Sequence, residues 1–253
     1  MKKLWGGVCV IVFALCAAIP ANAGDFKGFY VGANVGGVSG NADAHTSTVF
    51  SPVGYFNSTS IPAIATSGAQ TLGPSGFSGG GQAGFNLQHK AFVLGVEADF
   101  GGMNMSDKVS TTTKYPCCTA NFTVTQFAGT SWLFTLRPRV GFTGGPLLVY
   151  GTGGLAVSNL EYTSVFTDTF ASAFESARSE GSQTGWSAGA GAEFKTGKHL
   201  SLKGEYLRVN LGDVSVTSTN LHAPASTAWP MNVFTHGTNL TGNLYRFGFN
   251  YRF

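Results

Sequence analysis

Five histidines and one pair of adjacent cysteines are the side chains of this sequence best suited to acid–base, nucleophilic or metal chemistry. A hydrolytic site needs a nucleophile or activated water, a base, and an acid that orients the base. Asp43 and His45 form the tightest acid–histidine pair, but they lie in a segment that predicts a loop. His222 and His236 also lie in predicted loop, and their spacing is too loose for a metal motif. The sequence therefore predicts no catalytic residue, no metal site and no cofactor.

Cys117 and Cys118 are adjacent and fall in another predicted loop. They could form a strained vicinal disulfide, pair between two chains, or stay free. Because the N-terminus predicts export to an oxidising compartment, a disulfide that constrains the loop is favoured over redox chemistry.

The first 23 residues predict a secretory signal peptide, and residues 24–253 predict one mature domain. Lys2 and Lys3 precede an apolar stretch too short to span a bilayer, and small residues at 21–23 suit a signal peptidase. Without the two lysines the formal net charge falls from +3 to +1. The basic character therefore belongs mostly to the export signal, and no nucleic-acid partner is expected.

The composition of the chain differs from that of a soluble domain. Charged residues make up 11% of it, against about 25% in ordinary globular proteins. Glycine (36 residues) and phenylalanine (21) are abundant, yet no mature segment approaches the roughly 20 consecutive apolar residues of a membrane helix. An exported, apolar and poorly charged chain of this kind predicts a membrane β-barrel.

Apolar residues alternate with small or polar residues in eight segments of the mature chain. Each segment has about ten residues, the length with which a tilted strand crosses the hydrocarbon layer. The segments lie near 29–36, 80–87, 92–100, 131–142, 149–158, 186–195, 200–206 and 245–253. Short turns alternate with long polar connections, as in membrane barrels with both termini in the periplasm. The sequence predicts an all-β, eight-stranded, antiparallel, up-and-down transmembrane barrel with four long extracellular loops and no helix.

The bulk of the side chains predicts which face of the barrel meets lipid. Trp, Phe and Tyr are too large to fill an eight-stranded interior together, so they are expected to point outward. The strand charges then gather inside, where four acids and four bases compensate one another. This interior charge network comprises Glu97, Asp99, Arg137, Arg139, Glu193, Lys195, Lys203 and Glu205. It could be a packed polar core that sets strand register or a gated ion path, but a wide pore is not expected.

Several motifs together resemble one known family. They are GFYVG at 28–32, LRPRVGF at 136–142, YGTGGLA at 150–156, GWSAGAG at 185–191, KGEYL at 203–207 and YRFGFNYRF at 245–253. The chain resembles the porin-like outer-membrane β-barrel family of alphaproteobacteria, the outer-membrane immunogenic proteins, which is related to the OmpA transmembrane domain. The resemblance implies a barrel surrounded by outer-membrane lipid and lipopolysaccharide. It also implies that the barrel-assembly machinery recognises the C-terminal aromatic signal Phe249, Tyr251 and Phe253.

The resemblance implies a role in envelope integrity or as a surface antigen, and not an enzyme. Family members also include adhesins and haem binders, so a host or surface ligand bound through the loops is one alternative. A narrow porin-like channel is another. The long first loop, residues 38–76, and the Cys117–Cys118 pair depart from the family pattern, so the sequence names no specific ligand.

Overall fold

The computed structural model describes residues 25–224 and 228–253 of the chain. The predicted signal peptide, residues 1–23, lies outside the described residues. The strands are β1 (Gly28–Thr48), β2 (Gln70–Leu72), β3 (Ser75–His89), β4 (Phe92–Lys114), β5 (Asn121–Gly144), β6 (Leu147–Asp168), β7 (Phe174–Lys195), β8 (Leu200–Ser218) and β9 (Phe234–Arg252), and the helix is α1 (Ser60–Gly68).

Eight long strands form a closed antiparallel ring in chain order. From β3 to β9 each strand pairs with the next, and β1 pairs with both β3 and β9. The closing seam runs from Tyr30 opposite Arg252 to Thr48 opposite Phe234. The short β2 adds to β1 at Ala42–Ala44. Closure satisfies the backbone groups that a sheet edge would expose, and the predicted eight-stranded barrel is confirmed.

The barrel strands are 15 to 24 residues long, well beyond the predicted ten. They continue past the apolar segments into stretches rich in Ser and Thr, such as the end of β4 near Thr112. The prediction of a long loop is therefore wrong in two of the four places. The connections there are only residues 115–120 and 169–173, because the residues on either side of them pair as strands. The other two, 49–74 and 219–233, stay long.

The first of these long connections contains a helix that the alternation pattern missed. Residues 38–48 extend β1, and α1 follows after Asn57, whose side-chain oxygen accepts hydrogen bonds from the backbone and hydroxyl of Ser60. Ile64 anchors the helix in the barrel mouth and is fully buried. The expectation of a helix-free loop over 38–76 is wrong. Among the described residues, no helix is long and apolar enough to cross a membrane.

Large apolar side chains point outward around the end of the barrel that carries the short turns and both termini, here called the turn end. Phe247 is 72% exposed and Phe142 is 66% exposed. The opposite, loop end has a polar outer surface. A band of exposed aromatic and aliphatic residues is what lipid contact requires, and the predicted apolar-outward orientation is confirmed.

The interior is filled from one end to the other by five layers. An apolar base at the turn end is followed by an ion layer, an apolar plug, a polar layer and an aromatic cap. The base contains Phe26, Val93, Leu148 and Tyr150. The plug contains Val38, Met103, Met105, Leu133, Leu160, Leu207, Leu211, Leu240 and Leu244. The cap contains Phe56, Ile64, Tyr115, Phe122, Phe166, Leu221 and Phe234.

Candidate functional site

The ion layer is built on inward-facing positions of five strands near the turn end. Arg137 lies at its centre and donates to Glu97 at 2.9 Å and to Asp99 at 2.8 Å. From the facing wall, Lys203 contacts Glu97 at 2.6 Å. All of these side chains are almost fully buried. Each charge therefore meets opposite charges in a medium where an unpaired ion would be strongly destabilising.

Seven of the eight residues predicted for the charge network lie in this layer. They are Glu97, Asp99, Arg137, Arg139, Glu193, Lys203 and Glu205. The assignment of Lys195 to the network is wrong: as the last residue of β7 it lies at the turn end, where its Nζ donates to the backbone oxygen of Asp25 at 2.5 Å.

The sequence prediction also missed two members of the ion layer. Arg246 binds Asp99 and Glu205, and Arg252 binds Glu193 at 2.9 Å. Both arginines alternate with the outward aromatic residues of β9, so the period-two pattern already assigned them to the interior. The layer thus holds four acids and five bases.

Neutral side chains add further hydrogen bonds to the ion layer. Tyr30 donates to Glu97 at 2.7 Å and Tyr150 donates to Glu205 at 2.8 Å. The guanidinium carbon of Arg139 lies 4.5 Å from the centroid of the Tyr30 ring. The void beside Asp99 is about 10 Å³, which holds about one water molecule. This arrangement connects five strands of the barrel wall through buried ion pairs and hydrogen bonds.

A buried polar layer separates the plug from the cap. The His236 ring lies between the Thr46 hydroxyl, 2.9 Å from Nδ1, and the Glu175 carboxylate, 3.2 Å from Nε2. Thr46 also contacts Ser164 at 3.1 Å and accepts a hydrogen bond from Gln126 at 3.0 Å. The loop position predicted for His236 is wrong, because β9 begins at Phe234 and carries the ring into the barrel.

A hydroxyl–imidazole–carboxylate chain is the arrangement used in acyl transfer. Here, however, His236 and Glu175 are both fully buried. The plug lies below them and the cap lies above. Among the described residues these two layers cover the Thr46 hydroxyl, which is itself buried, and the sequence pattern gave no signal for this chain of contacts.

The aromatic cap closes the loop end over the polar layer. Tyr55 and Tyr115 both donate to the same carboxylate oxygen of Asp168, at 2.6 and 2.9 Å. Burial raises the pKa of each tyrosine well above its usual value, and the Asp168 carboxylate raises the pKa further. The Tyr55 ring also packs on Trp229, with centroids 4.6 Å apart. The two long connections are thus tied to each other and to the barrel.

Around this cap lies a rim of exposed apolar side chains. They are Val49, Phe50, Val53, Phe170 and Met231. They lie in the connections that leave β1, β6 and β8, beyond the polar outer surface of the strands. Exposed apolar residues grouped in this way are typical of an interaction surface.

The remaining candidate groups lie apart from one another. Asp43 and His45 both face outward on β1, where Asp43 accepts a hydrogen bond from Thr71 at 3.0 Å. Cys117 and Cys118 lie side by side in the connection 115–120 with their sulfur atoms 2.7 Å apart, and the loop disulfide stays a prediction. Within the described ranges, no cluster of three or more His, Cys, Asp or Glu side chains is arranged to hold a metal.

A model for the outer membrane protein beta-barrel domain matches residues 8–253 of the chain. The chain belongs to this outer-membrane β-barrel family. Its apolar band therefore lies in the outer membrane, with the turn end in the periplasm and the loop end at the cell surface. The C-terminal residues Phe249, Tyr251 and Phe253 lie on the lipid-facing side of the periplasmic end and are about half or more exposed.

Two relatives of this outer-membrane barrel carry outer-membrane names. The 31 kDa outer-membrane immunogenic protein of Brucella melitensis biotype 1 is 34% identical over 197 residues, which is 77% of this chain and 75% of that protein. The 22 kDa outer membrane protein of Rhizobium leguminosarum bv. viciae is 29% identical over 134 residues, which is 52% of this chain and 51% of its own. The predicted resemblance to the immunogenic proteins is confirmed.

Solved outer-membrane barrels align at low similarity. The outer membrane protease OmpT of Escherichia coli has a TM-score of 0.39 and 9% identity, covering 93% of this chain and 98% of that one. Neisserial surface protein A has a TM-score of 0.34 and 12% identity, covering 90% and 98%.

Proposed function

We propose that this outer-membrane barrel is a closed, non-enzymatic protein that supports the envelope and presents its loops as a surface antigen. The observation that carries the proposal is the stack of five interior layers, in which buried ion pairs lie between an apolar base and an apolar plug. An eight-stranded barrel is barely wide enough for its own side chains. A general diffusion role is therefore disfavoured.

Single-channel recording on the mature protein extracted from outer membranes tests this proposal. Planar bilayers that contain the barrel should give no conductance steps, whereas a general porin added to the same bilayer should. Regular steps from the barrel alone would instead support the narrow-channel alternative.

The envelope role is tested in cells. A strain that lacks the gene should become more sensitive to detergents and bulky antibiotics, and expression of the wild-type chain should restore resistance. Unchanged sensitivity would contradict the envelope role and leave only the surface-antigen role.

A separate assay tests the absence of enzymatic activity. Incubation of the protein with lipid A or peptides should give no turnover, and any turnover should then be compared with that of Thr46→Ala.

A second candidate function is recognition of a host or surface ligand through the exposed apolar rim. This candidate is favoured by Val53, which is 74% exposed, and Phe170, which is 65% exposed, on loops held by the cap. The double variant Val53→Ser/Phe170→Ser should lower binding of whole cells to a host-cell surface. Ser58→Ala in the same connection is the matched control, and equal binding by both variants would remove this candidate.

We also propose that the exposed aromatic residues of the C-terminus are the assembly signal. Phe253 packs on Phe29 with ring centroids 5.8 Å apart, so it also closes the seam between β9 and β1. Phe253→Ala should lower the amount of barrel in the outer membrane more than Phe247→Ala, a change in another outward phenylalanine of β9. Equal amounts of the two variants would count against a signal at the terminus.

A further inference from the structure

A groove interrupts the outer surface of the barrel at the seam between β3 and β4. Its volume is about 480 Å³. Along this seam Gly79 lies opposite Gly102, and Gly81 lies opposite Phe100. The groove is lined by Phe77, Ser78, Gly79, Gly102, Met103, Asn104 and Ser131.

The groove lies at the boundary between hydrocarbon and headgroups. Phe77, Tyr245 and Tyr206 are related by strand pairing in a single row around the barrel, and Trp132 lies opposite Gly102 on the other side of the groove. Rows of Trp and Tyr mark the membrane interface. The space therefore opens onto the outer leaflet, where lipid chains replace water as the solvent.

The surroundings of the groove change in polarity along the barrel axis. Phe100, which lies just beyond the groove toward the periplasm, is apolar and exposed. Toward the cell surface lie the exposed side chains of Asn104 and Ser131. Such a groove matches a hydrocarbon chain that ends in a polar amide or ester linkage.

Packing explains some of the seam glycines but not the two at the centre of the groove. A Cβ on Gly80 would clash with the backbone oxygen of Phe100, and one on Gly101 would lie 2.5 Å from that of Gly79. In contrast, a Cβ on Gly102 would meet nothing within 4 Å, and one on Gly79 would meet only a backbone oxygen at 3.5 Å. Packing therefore does not require glycine at these two positions, and the absence of side chains there leaves the floor of the groove open.

We propose that this groove binds one acyl chain of an outer-leaflet lipopolysaccharide molecule. The chain lies over Gly79 and Gly102 between the Phe77 and Phe100 rings. Its amide or ester linkage lies beside Asn104 and Ser131. The site depends on the place of the barrel in the outer membrane and is independent of whether the barrel supports the envelope.

Native mass spectrometry with purified lipid A tests the site. The wild-type barrel, after detergent exchange, should retain one lipid A molecule in preference to phosphatidylethanolamine. Gly79→Leu and Gly102→Leu fill the groove without a backbone clash and should weaken lipid A binding by about tenfold or more, as added methylenes do in a filled apolar pocket. Gly151→Leu is the matched control, because a Cβ on this outward glycine of β6 also meets nothing within 4 Å.

If the leucine variants do not insert into the outer membrane, a further variant still tests the groove. Asn104→Ala removes the exposed amide at the rim, leaves the glycines unchanged, and should lower the preference for lipid A over the phospholipid. Equal lipid A retention by wild type and all groove variants would overturn the proposal. So would a wild-type barrel that retains no lipid A, or one that retains phosphatidylethanolamine equally well.

Discussion

Arg246 crosses the barrel interior to Asp99, and its two terminal nitrogens lie 2.8 and 3.3 Å from the carboxylate oxygens. These residues are on β9 and β4, which are separated around the ring by β1 and β3. The contact is therefore not a pair between neighbouring strands. It ties β9 to β4 across the interior of the barrel at the level of the ion layer.

Loss of this cross-barrel contact should lower the free energy of unfolding. Arg246→Ala leaves Asp99 and Glu205 buried without one of their cationic partners, and breaking one side of a buried pair typically costs about 3–5 kcal/mol. The free energy of unfolding, measured by urea titration in lipid vesicles, should fall by this amount. Arg178→Ala is the control, since Arg178 is 59% exposed in its pairs with Glu161 and Glu180, and exposed pairs contribute about 0–1 kcal/mol. Similar losses in both variants would contradict the assigned role of the ion layer.

The chain of contacts through His236 predicts a strong coupling in the polar layer. His236→Leu leaves the fully buried Glu175 carboxylate without its imidazole partner, so this single variant should be more destabilised than the double variant His236→Leu/Glu175→Leu. Residues in one buried network couple by about 0.5–3 kcal/mol. A double-mutant cycle on unfolding free energies measures this coupling, and additive effects would show that the two side chains stabilise the barrel independently.

The cap should open at alkaline pH. The folded state raises the pKa of Tyr55 and Tyr115 above the usual 10.0, through burial and then through Asp168. Tyrosine in an opened cap loses its proton near 10.0, while the packed cap keeps it. The resulting stabilisation is therefore complete below pH 10 and is lost as pH rises above it.

Fluorescence of Trp229, which packs on Tyr55, reports this opening. In wild type the signal should change as pH rises above 10, and in Tyr55→Phe/Tyr115→Phe this tyrosine-linked transition should shrink. A transition of equal size in both proteins would place the alkaline-sensitive group elsewhere.

The sequence predicted the membrane-embedded part of the barrel better than the part above it. Below the interface, outward Phe and Trp contrast with inward Gly, Ser and charged residues, so the period-two pattern is clear. Above it, the outward residues of β4 include Ser110 and Thr112, and inward neighbours such as Thr111 are no more apolar. Because the two faces of these stretches do not differ in polarity, their sequence pattern resembles that of a loop. Hydrogen bonding to the neighbouring strands makes them part of the sheet.

The same reasoning accounts for the interior predictions. Alternation places Glu97, Arg137 and Arg246 on the inward face, but it carries no information about contacts across the barrel. Lys195 follows the same alternation as these residues, so the pattern predicts an inward position for it. In the structure β7 ends at Lys195, and the side chain reaches only the periplasmic end of the barrel. The pattern does not predict the inward position of His236, because the Thr and Gly residues around it give the start of β9 no clear alternation.

Removal of the cap alone should not open a channel. Phe56→Ala/Phe166→Ala/Phe234→Ala deletes three packed rings of the cap, and each buried Phe→Ala change typically costs about 3–5 kcal/mol. The connections at the cell surface should then become sensitive to protease. Conductance in planar bilayers should stay at the wild-type level, because the plug and the ion layer lie between the cap and the periplasm. Phe50→Ala, which removes an exposed ring, is the control and should leave the cap protease-resistant. Conductance steps in the cap variant would mean that the cap is the main barrier to ions. That result would contradict the interpretation of the ion layer as closed.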